Sequence, residues 1–225
     1  MLDALLAALD ALPHGKRHLI AVAGAPGSGK STFAEVLMSR LNHTSPRRVC
    51  VLPMDGYHYD DAVLELRGHR ARKGAPHTFD VGGLLCLLTR LKENIAEDVA
   101  FPVFDRDIEI ARAGARIIPR EVDIIIVEGN YLLLDEIPWS SLRPYFNLTA
   151  FLDVPESILR ARLRARWAGY DYTEDDIRQK LEENDLPNGR MVITRGSNAD
   201  FVISNAGWLA TLTDGKTSAP EHSGG

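Results

Sequence analysis

The stretch 18-HLIAVAGAPGSGKST-32 decides how the rest of the chain is read. An apolar run from His18 to Gly24 looks like a buried strand. It empties into a loop, Gly24-Ala25-Pro26-Gly27-Ser28-Gly29, and then into Lys30, Ser31 and Thr32. Gly24, Gly29, Lys30 and Ser31 meet the spacing G-x-x-x-x-G-K-[ST]. The spacing has a mechanical reason. Glycines let the backbone wrap a phosphate without side-chain clashes, and the loop amides point inward as an anion nest. A helix starting near Lys30 adds its positive dipole end. Lys30 can reach β- and γ-phosphates, the Ser31 hydroxyl can ligate Mg²⁺, and Thr32 is a helix-start residue near the α-phosphate.

Working outward, four more short apolar runs follow the first: 48-RVCVLPM-54, 122-VDIIIVEG-129, 148-LTAFLDV-154 and 199-ADFVIS-204. All five runs are continuously apolar, as parallel strands covered on both faces should be. Helix-like segments over 30–42, 80–97, 155–168 and 174–185 separate them. This alternation predicts an α/β fold: a doubly wound, mainly parallel five-stranded sheet with helices on both faces. Ligands in such sheets bind beyond the carboxyl ends of the strands, so the polar residues just after each strand are the ones to read. Residues 99–119 break the alternation, and Phe101–Phe104 and Arg116–Ile118 suggest the arms of a small hairpin. Residues 1–12 read as an amphipathic helix docked on the domain.

The chain has 225 residues and a formal net charge of −5, which argues against a dedicated nucleic-acid binder. No run is long and apolar enough for a membrane span, and no targeting segment is evident, so a cytoplasmic location is expected. Two cysteines, Cys50 and Cys86, make neither a zinc pattern nor a disulfide framework. They are expected to be buried thiols. The polar stretch ending TSAPEHSGG is expected to fray.

Two strand ends carry acids. In 51-VLPMDGYHYDD-61, Asp55 ends an apolar run, where it could cap a helix, form a turn, hold a metal or act as a base. Gly56 reads as the residue that lets the chain leave the strand sharply. In 123-DIIIVEGNYLLL-134, Glu128 would face the phosphate loop and could hold Mg²⁺, usually through water. An isolated acid at the end of a buried strand is costly without a partner. The helix 156-ESILRARLRARWAGYD-171 places Arg160 and Arg164 on one face and Arg162 and Arg166 on an adjacent one, with Gly169 as a hinge. Such a helix could close over a nucleotide or be a solvated face with Glu–Arg pairs. A guanine-reading Asn-Lys-x-Asp motif is lacking, which lowers the GTPase reading.

The phosphate loop, then MDGYHYDDAVLELRG, then RKGAPHTFD, then IIIVEGNYLLL, resemble in order the phosphoribulokinase, uridine kinase and pantothenate kinase superfamily of P-loop kinases. Within it the chain resembles the bacterial fructose transport system kinase group. The resemblance spans most of 18–204. It implies one P-loop kinase domain over 1–210, with 99–119 as a hairpin insert, 160–175 as a lid and 211–225 as a disordered tail. It implies ATP and Mg²⁺ as cofactors, Asp55 as the base near the acceptor hydroxyl, Lys30 and Ser31 as the phosphate-loop pair, Glu128 as the third-strand acid, and Arg160 and Arg164 as lid arginines. A water-mediated Mg²⁺ contact of Asp55 need not exclude its role as base. Arg72-Lys73-Gly74 resembles the pantothenate kinase stretch before its substrate loop, Phe79-Asp80 closes that loop, and the segment before the last strand borders adenine. The family often forms dimers.

The stretch 101-FPVFDRDIEIAR-112 lies where uridine kinases carry a Tyr-Asp and a later His-Ser-Arg, a departure that argues against uridine. The chain is also shorter than most pantothenate kinases. The acceptor site is expected between Asp55, residues 67–80 and residues 101–112, with Tyr57, His58, Arg67, His77, Asp80, Asp105, Arg106 and Arg112 as candidate contacts. This polar set suits a sugar, nucleoside or vitamin-like small molecule, and Arg106 and Arg112 could hold an anionic group. The reading is an ATP-dependent kinase acting on a hydroxyl; its rival is a nucleotide-binding accessory ATPase of a transport system.

Overall fold

The structure, a computed structural model of the chain, describes residues 1–170, 172–196 and 198–204. Five strands make one parallel sheet: β1 His18–Gly24, β2 Val49–Pro53, β5 Ile124–Gly129, β6 Leu148–Asp153 and β7 Phe201–Ser204. Their order is β2-β5-β1-β6-β7. β1 and β5 are buried along their whole length, so both faces need cover. Alternation along the strands sorts the side chains. Leu19, Ala21, Ala23, Ile125 and Val127 face a core closed by α4 (Val81–Glu93) and the short helical segment Trp139–Tyr145. Ile20, Val22, Ile124 and Ile126 face α1 (Leu2–Asp10) and α2 (Lys30–Thr44). Among the described residues no helix is long and apolar enough to cross a membrane.

The expected hairpin exists. β3 (Asp98–Asp105) and β4 (Ile110–Pro119) pair antiparallel as a sheet of their own. Its docking corrects the reading of Gly56. That glycine has no positive φ; a Cβ there would run into the carbonyl of Pro102. Glycine is needed because the hairpin backbone lies on it, not because the chain turns sharply.

The helix expected over 174–185 runs further. It comprises α6 (Glu174–Gln179), a π turn over Lys180–Asp185 and α7 (Leu186–Arg195), and it follows α5 (Glu156–Ala168). Pro187 should stop it, since proline has no N–H for the carbonyl four residues back. That carbonyl, on Glu183, accepts from the guanidinium of Arg72 instead, and the wide turn accommodates the ring. Asn184 and Asn188 also turn to this side. Asn184 donates to the Lys73 carbonyl (2.9 Å) and Asn188 accepts from Arg72 (3.3 Å). Thr173 and Asp176 form the capping box that opens α6.

Of the two thiols expected to be buried, Cys50 is half-buried and burial pushes it up to about 12. Cys86 is exposed, because α4 buries the stripe Leu84, Leu87, Leu88 and Leu91 and leaves Cys86 outside it. The frayed tail expected over 211–225 lies outside the described residues.

Candidate active site

The loop between β1 and α2 is shaped by left-handed glycines at Gly27 (φ +79°) and Gly29 (φ +87°), a conformation that L side chains resist. Arg162 of α5 donates to the carbonyls of Gly27 (3.3 Å) and Ser28 (3.1 Å) from outside the loop. Ala25 is buried against Leu159, Leu163 and Leu186, so α5 and α7 back the loop with apolar contact. The Ser28 hydroxyl oxygen is buried with no hydrogen-bond partner among the described residues. Thr32 is exposed in the first turn of α2.

Glu128 ends β5, in register with Val22 of β1 and Pro53 of β2. It is 5% exposed, and the Ser31 hydroxyl donates to it across 3.0 Å. Burial pushes its carboxyl up, with Lys30 pulling the other way. Lys30 is itself pushed down by burial, against the pull of Glu128 and Asp55. Asp55 sits in the helical turn Met54–Tyr57 that follows β2. Burial works against its charge, but His58, Lys30 and Arg106 outweigh it and hold the carboxyl below the usual range. Two neighbouring acids therefore have their affinities for a proton driven apart, the pattern by which sites divide roles between carboxylates.

A hydroxyl and a carboxylate beside a phosphate-shaped loop are hard oxygen donors, the set Mg²⁺ takes while keeping water and phosphate in its remaining positions. Ser31 and Glu128 fit that ion. Among the described residues there is no cluster of three or more acidic, His or Cys side chains that would hold a metal by itself. Asp55, also expected to contact the metal, is instead hydrogen-bonded to Arg106 Nη2 at 2.7 Å.

The acceptor candidates divide. His58 stays beside Asp55: its Nδ1 lies 2.8 Å from the Asp55 carbonyl and its ring packs on Phe79 (4.0 Å) and Phe104 (4.7 Å). Burial pushes its pKa down, against the pull of Asp55. Asp105 and Arg112 pair with each other at 2.8 Å. With Arg106 and Arg116 they line a cavity of about 370 Å³ on the hairpin. A second cleft, about 440 Å³, reaches Ser31 and Glu128 past Glu35 and Cys50.

Four further candidates have other partners in the structure. Tyr57 is part of the apolar core, 9% exposed. Asp80 caps α4, accepting from the Gly83 N–H at 2.9 Å. Arg67 is exposed and stacked over Tyr59, 4.4 Å from the ring centre. His77 is exposed and edge-on to His69.

On α5, Arg160 is held by Glu182 and Glu156, and Arg164 by Glu174 (2.7 Å). These two are not the ones turned to the loop. Arg162 touches it, and Arg166 is close enough to bias Lys30 and Asp55 electrostatically. The signal was in the sequence. Leu159 and Leu163 are the buried residues of α5, and Arg162 and Arg166 complete the same i, i+3, i+4, i+7 face.

Lys73 was not singled out as a site residue. It ties the hairpin tip to the acceptor segment, donating to Asp61 (2.6 Å) and to the Glu109 carbonyl (2.6 Å).

A family model described as Phosphoribulokinase / Uridine kinase family matches residues 19–206. A Schizosaccharomyces pombe protein provisionally named a uridine kinase is 32% identical over 203 residues, covering 87% of this chain and 86% of its own length. A pantothenate kinase of Rhodopseudomonas palustris is 33% identical over 150 residues, covering 64% of this chain but 47% of that enzyme. The chain thus matches about half of that relative. A crystal structure from Silicibacter sp. TM1040, of a protein provisionally described as a fructose transport system kinase, aligns with a TM-score of 0.84 at 39% identity, over 90% of this chain and 98% of that one.

Proposed function

The chain belongs to the phosphoribulokinase / uridine kinase family of P-loop phosphotransferases, and from that premise we propose that it moves the γ-phosphoryl group of ATP to a hydroxyl of a small polar metabolite, with Mg²⁺ and with Asp55 as the base. One observation carries the reading: the Ser31–Glu128 contact at 3.0 Å lies beside Lys30, and Asp55 lies close enough to bias both Lys30 and Glu128.

Loop amides and Lys30 hold the phosphates and meet charge that grows on them during transfer. Ser31 and Glu128 would hold Mg²⁺, which would supply positive charge to offset that of the phosphates. Asp55, kept ionised by its neighbours, accepts the hydrogen bond of the acceptor hydroxyl and aims its oxygen at phosphorus. As the new O–P bond forms and the bond to the β-phosphate oxygen breaks, the hydroxyl proton passes to Asp55. Arg162 keeps the loop in shape, and Arg166 adds positive charge over the transferring group. His58, Phe79 and Phe104 wall the acceptor side.

The hairpin sequence does not support a uridine acceptor. The partner is proposed to be a soluble metabolite, met in the cytoplasm by a protein that could be a homodimer.

ADP release measured with and without a panel of sugars, nucleosides, hydroxy acids and vitamins tests the reading. Acceptor-dependent release, lost in Asp55→Asn, supports it. Release at one rate whatever acceptor is added would instead fit an accessory ATPase.

A further inference from the structure

We infer that the acceptor carries an anionic group, and that this group draws Arg106 off Asp55, so that the carboxylate is freed only when the right acceptor is bound. The inference rests on the kinase reading and names the class of its acceptor.

In this structure Arg106 donates one N–H to Asp55 Oδ2 at 2.7 Å. A guanidinium can grip a carboxylate with two parallel N–H groups; here a single one does so. Among the described residues Arg106 makes no other hydrogen bond or ion pair, and its side chain is 51% exposed while that of Asp55 is 21% exposed. A hydrogen bond from arginine weakens a carboxylate as acceptor for a hydroxyl proton, so transfer is favoured once Arg106 turns away. The hairpin tip itself is pinned by Lys73 on the Glu109 carbonyl. The motion is therefore a rotation of one side chain.

The place it would go is the 370 Å³ cavity, lined by Arg106, Arg112 and Arg116. Arg112 and Arg116 reach one cavity because β4 bulges between them. Val103 pairs with Arg112 and Phe101 with Arg116, so a two-residue step on β3 faces a four-residue step on β4, and Gly114 takes φ +62° inside it. Arg112 is bound to Asp105. Among the described residues Arg116 has no hydrogen bond or ion pair.

Asp105 and Asp107 also line the cavity. Three guanidinium groups therefore face these two carboxylates and Asp55. An acceptor anion between Arg106 and Arg116 exchanges one carboxylate partner of Arg106 for another group of like charge. A neutral acceptor leaves Arg106 on the base. The ligand chemistry is a carboxylate or a phosphate on a short hydroxylated chain.

Matched acceptors test this. ADP release is measured with sugar alcohols, the corresponding aldonic acids and the corresponding sugar monophosphates. At least ~10-fold higher kcat/KM for acids or phosphates is expected, the better of the two naming the anion. In Arg116→Ala, KM for the anionic acceptor rises about tenfold with kcat kept, and neutral acceptors are unaffected. In Arg106→Ala, acceptor-free ATP hydrolysis rises several-fold and the preference for anions collapses. Sugar alcohols turned over as well as their acids overturn the inference while the kinase reading stands. So does an Arg106→Ala variant with basal hydrolysis and anion preference both unchanged. ADP release that ignores every acceptor removes the kinase reading and the inference together.

Discussion

At the scale of single residues, the site depends on two acids that one neighbourhood treats differently. Glu128 is pushed toward its neutral form by burial, while Asp55 is held ionised by charges that outweigh its burial. Asp55→Asn removes the proposed proton acceptor and leaves the phosphate loop untouched. Turnover should fall by roughly 10²–10⁴-fold, while affinity for a non-hydrolysable ATP analogue, read by calorimetry, changes little. Equal losses of binding and turnover would move Asp55 from the chemistry to the nucleotide. Lys30, Ser31, Glu128 and Asp55 could be found in the sequence because each stands at a strand end or just past the loop that follows one, where an α/β sheet delivers side chains to its ligand. Tyr57 and Asp80 have structural roles that sequence does not reveal. A tyrosine in the core and an aspartate on a helix end look the same in sequence as two substrate contacts, and only packing around α4 separates them.

At the scale of elements, α5 shows how far a pattern reads. Its arginines were visible, but which pair faces inward depends on Leu159 and Leu163 lying against the loop. Arg162→Ala should therefore weaken nucleotide binding and lower kcat/KM for ATP by about tenfold, and Arg160→Ala should do neither; equal effects would refute the assignment. The hairpin was legible because two apolar arms flanked a polar tip, whereas its contact with Gly56 joins distant parts of the chain. Gly56→Ala should cost on the order of 1–3 kcal/mol in urea unfolding and raise the acceptor KM more than the ATP KM. The π turn holds Asp185, whose carboxylate accepts from Trp167 Nε1 at 2.7 Å. Burial raises its pKa, despite the Trp167 hydrogen bond and nearby Arg166 and Lys180. The folded state thus keeps this proton to higher pH than the unfolded chain does, and stability falls as pH rises through that window. Asp185→Asn keeps an acceptor for Trp167 and removes the charge. Its stability relative to the parent chain should rise as the pH climbs above about 4, where the unfolded aspartate gives up its proton, as followed by thermal melts; a flat difference would exclude the mechanism.

At the scale of the whole molecule, β1 lies at the centre of the sheet, flanked by β5 and β6. Its carboxyl end therefore meets the acids from one side and α5 from the other. Among the described residues no group of three or more His, Cys, Asp or Glu side chains could hold a structural metal. Chelation by EDTA should abolish turnover yet leave the melting temperature of the nucleotide-free protein unchanged. Mg²⁺ with ATP analogue at a hundred times Kd should stabilise by about 2.7 kcal/mol. A metal-dependent melt without nucleotide would point to a structural ion instead. The two thiols offer a practical consequence of the fold. Cys50 is kept in its thiol form by burial, at about 12, while Cys86 is exposed on the helix that Asp80 caps. A maleimide dye should attach at Cys86 alone. The protein thus carries a natural attachment point for a fluorescent reporter, on the helix that follows Phe79 of the proposed acceptor wall, and acceptors could be ranked by colour change without any engineering of the chain.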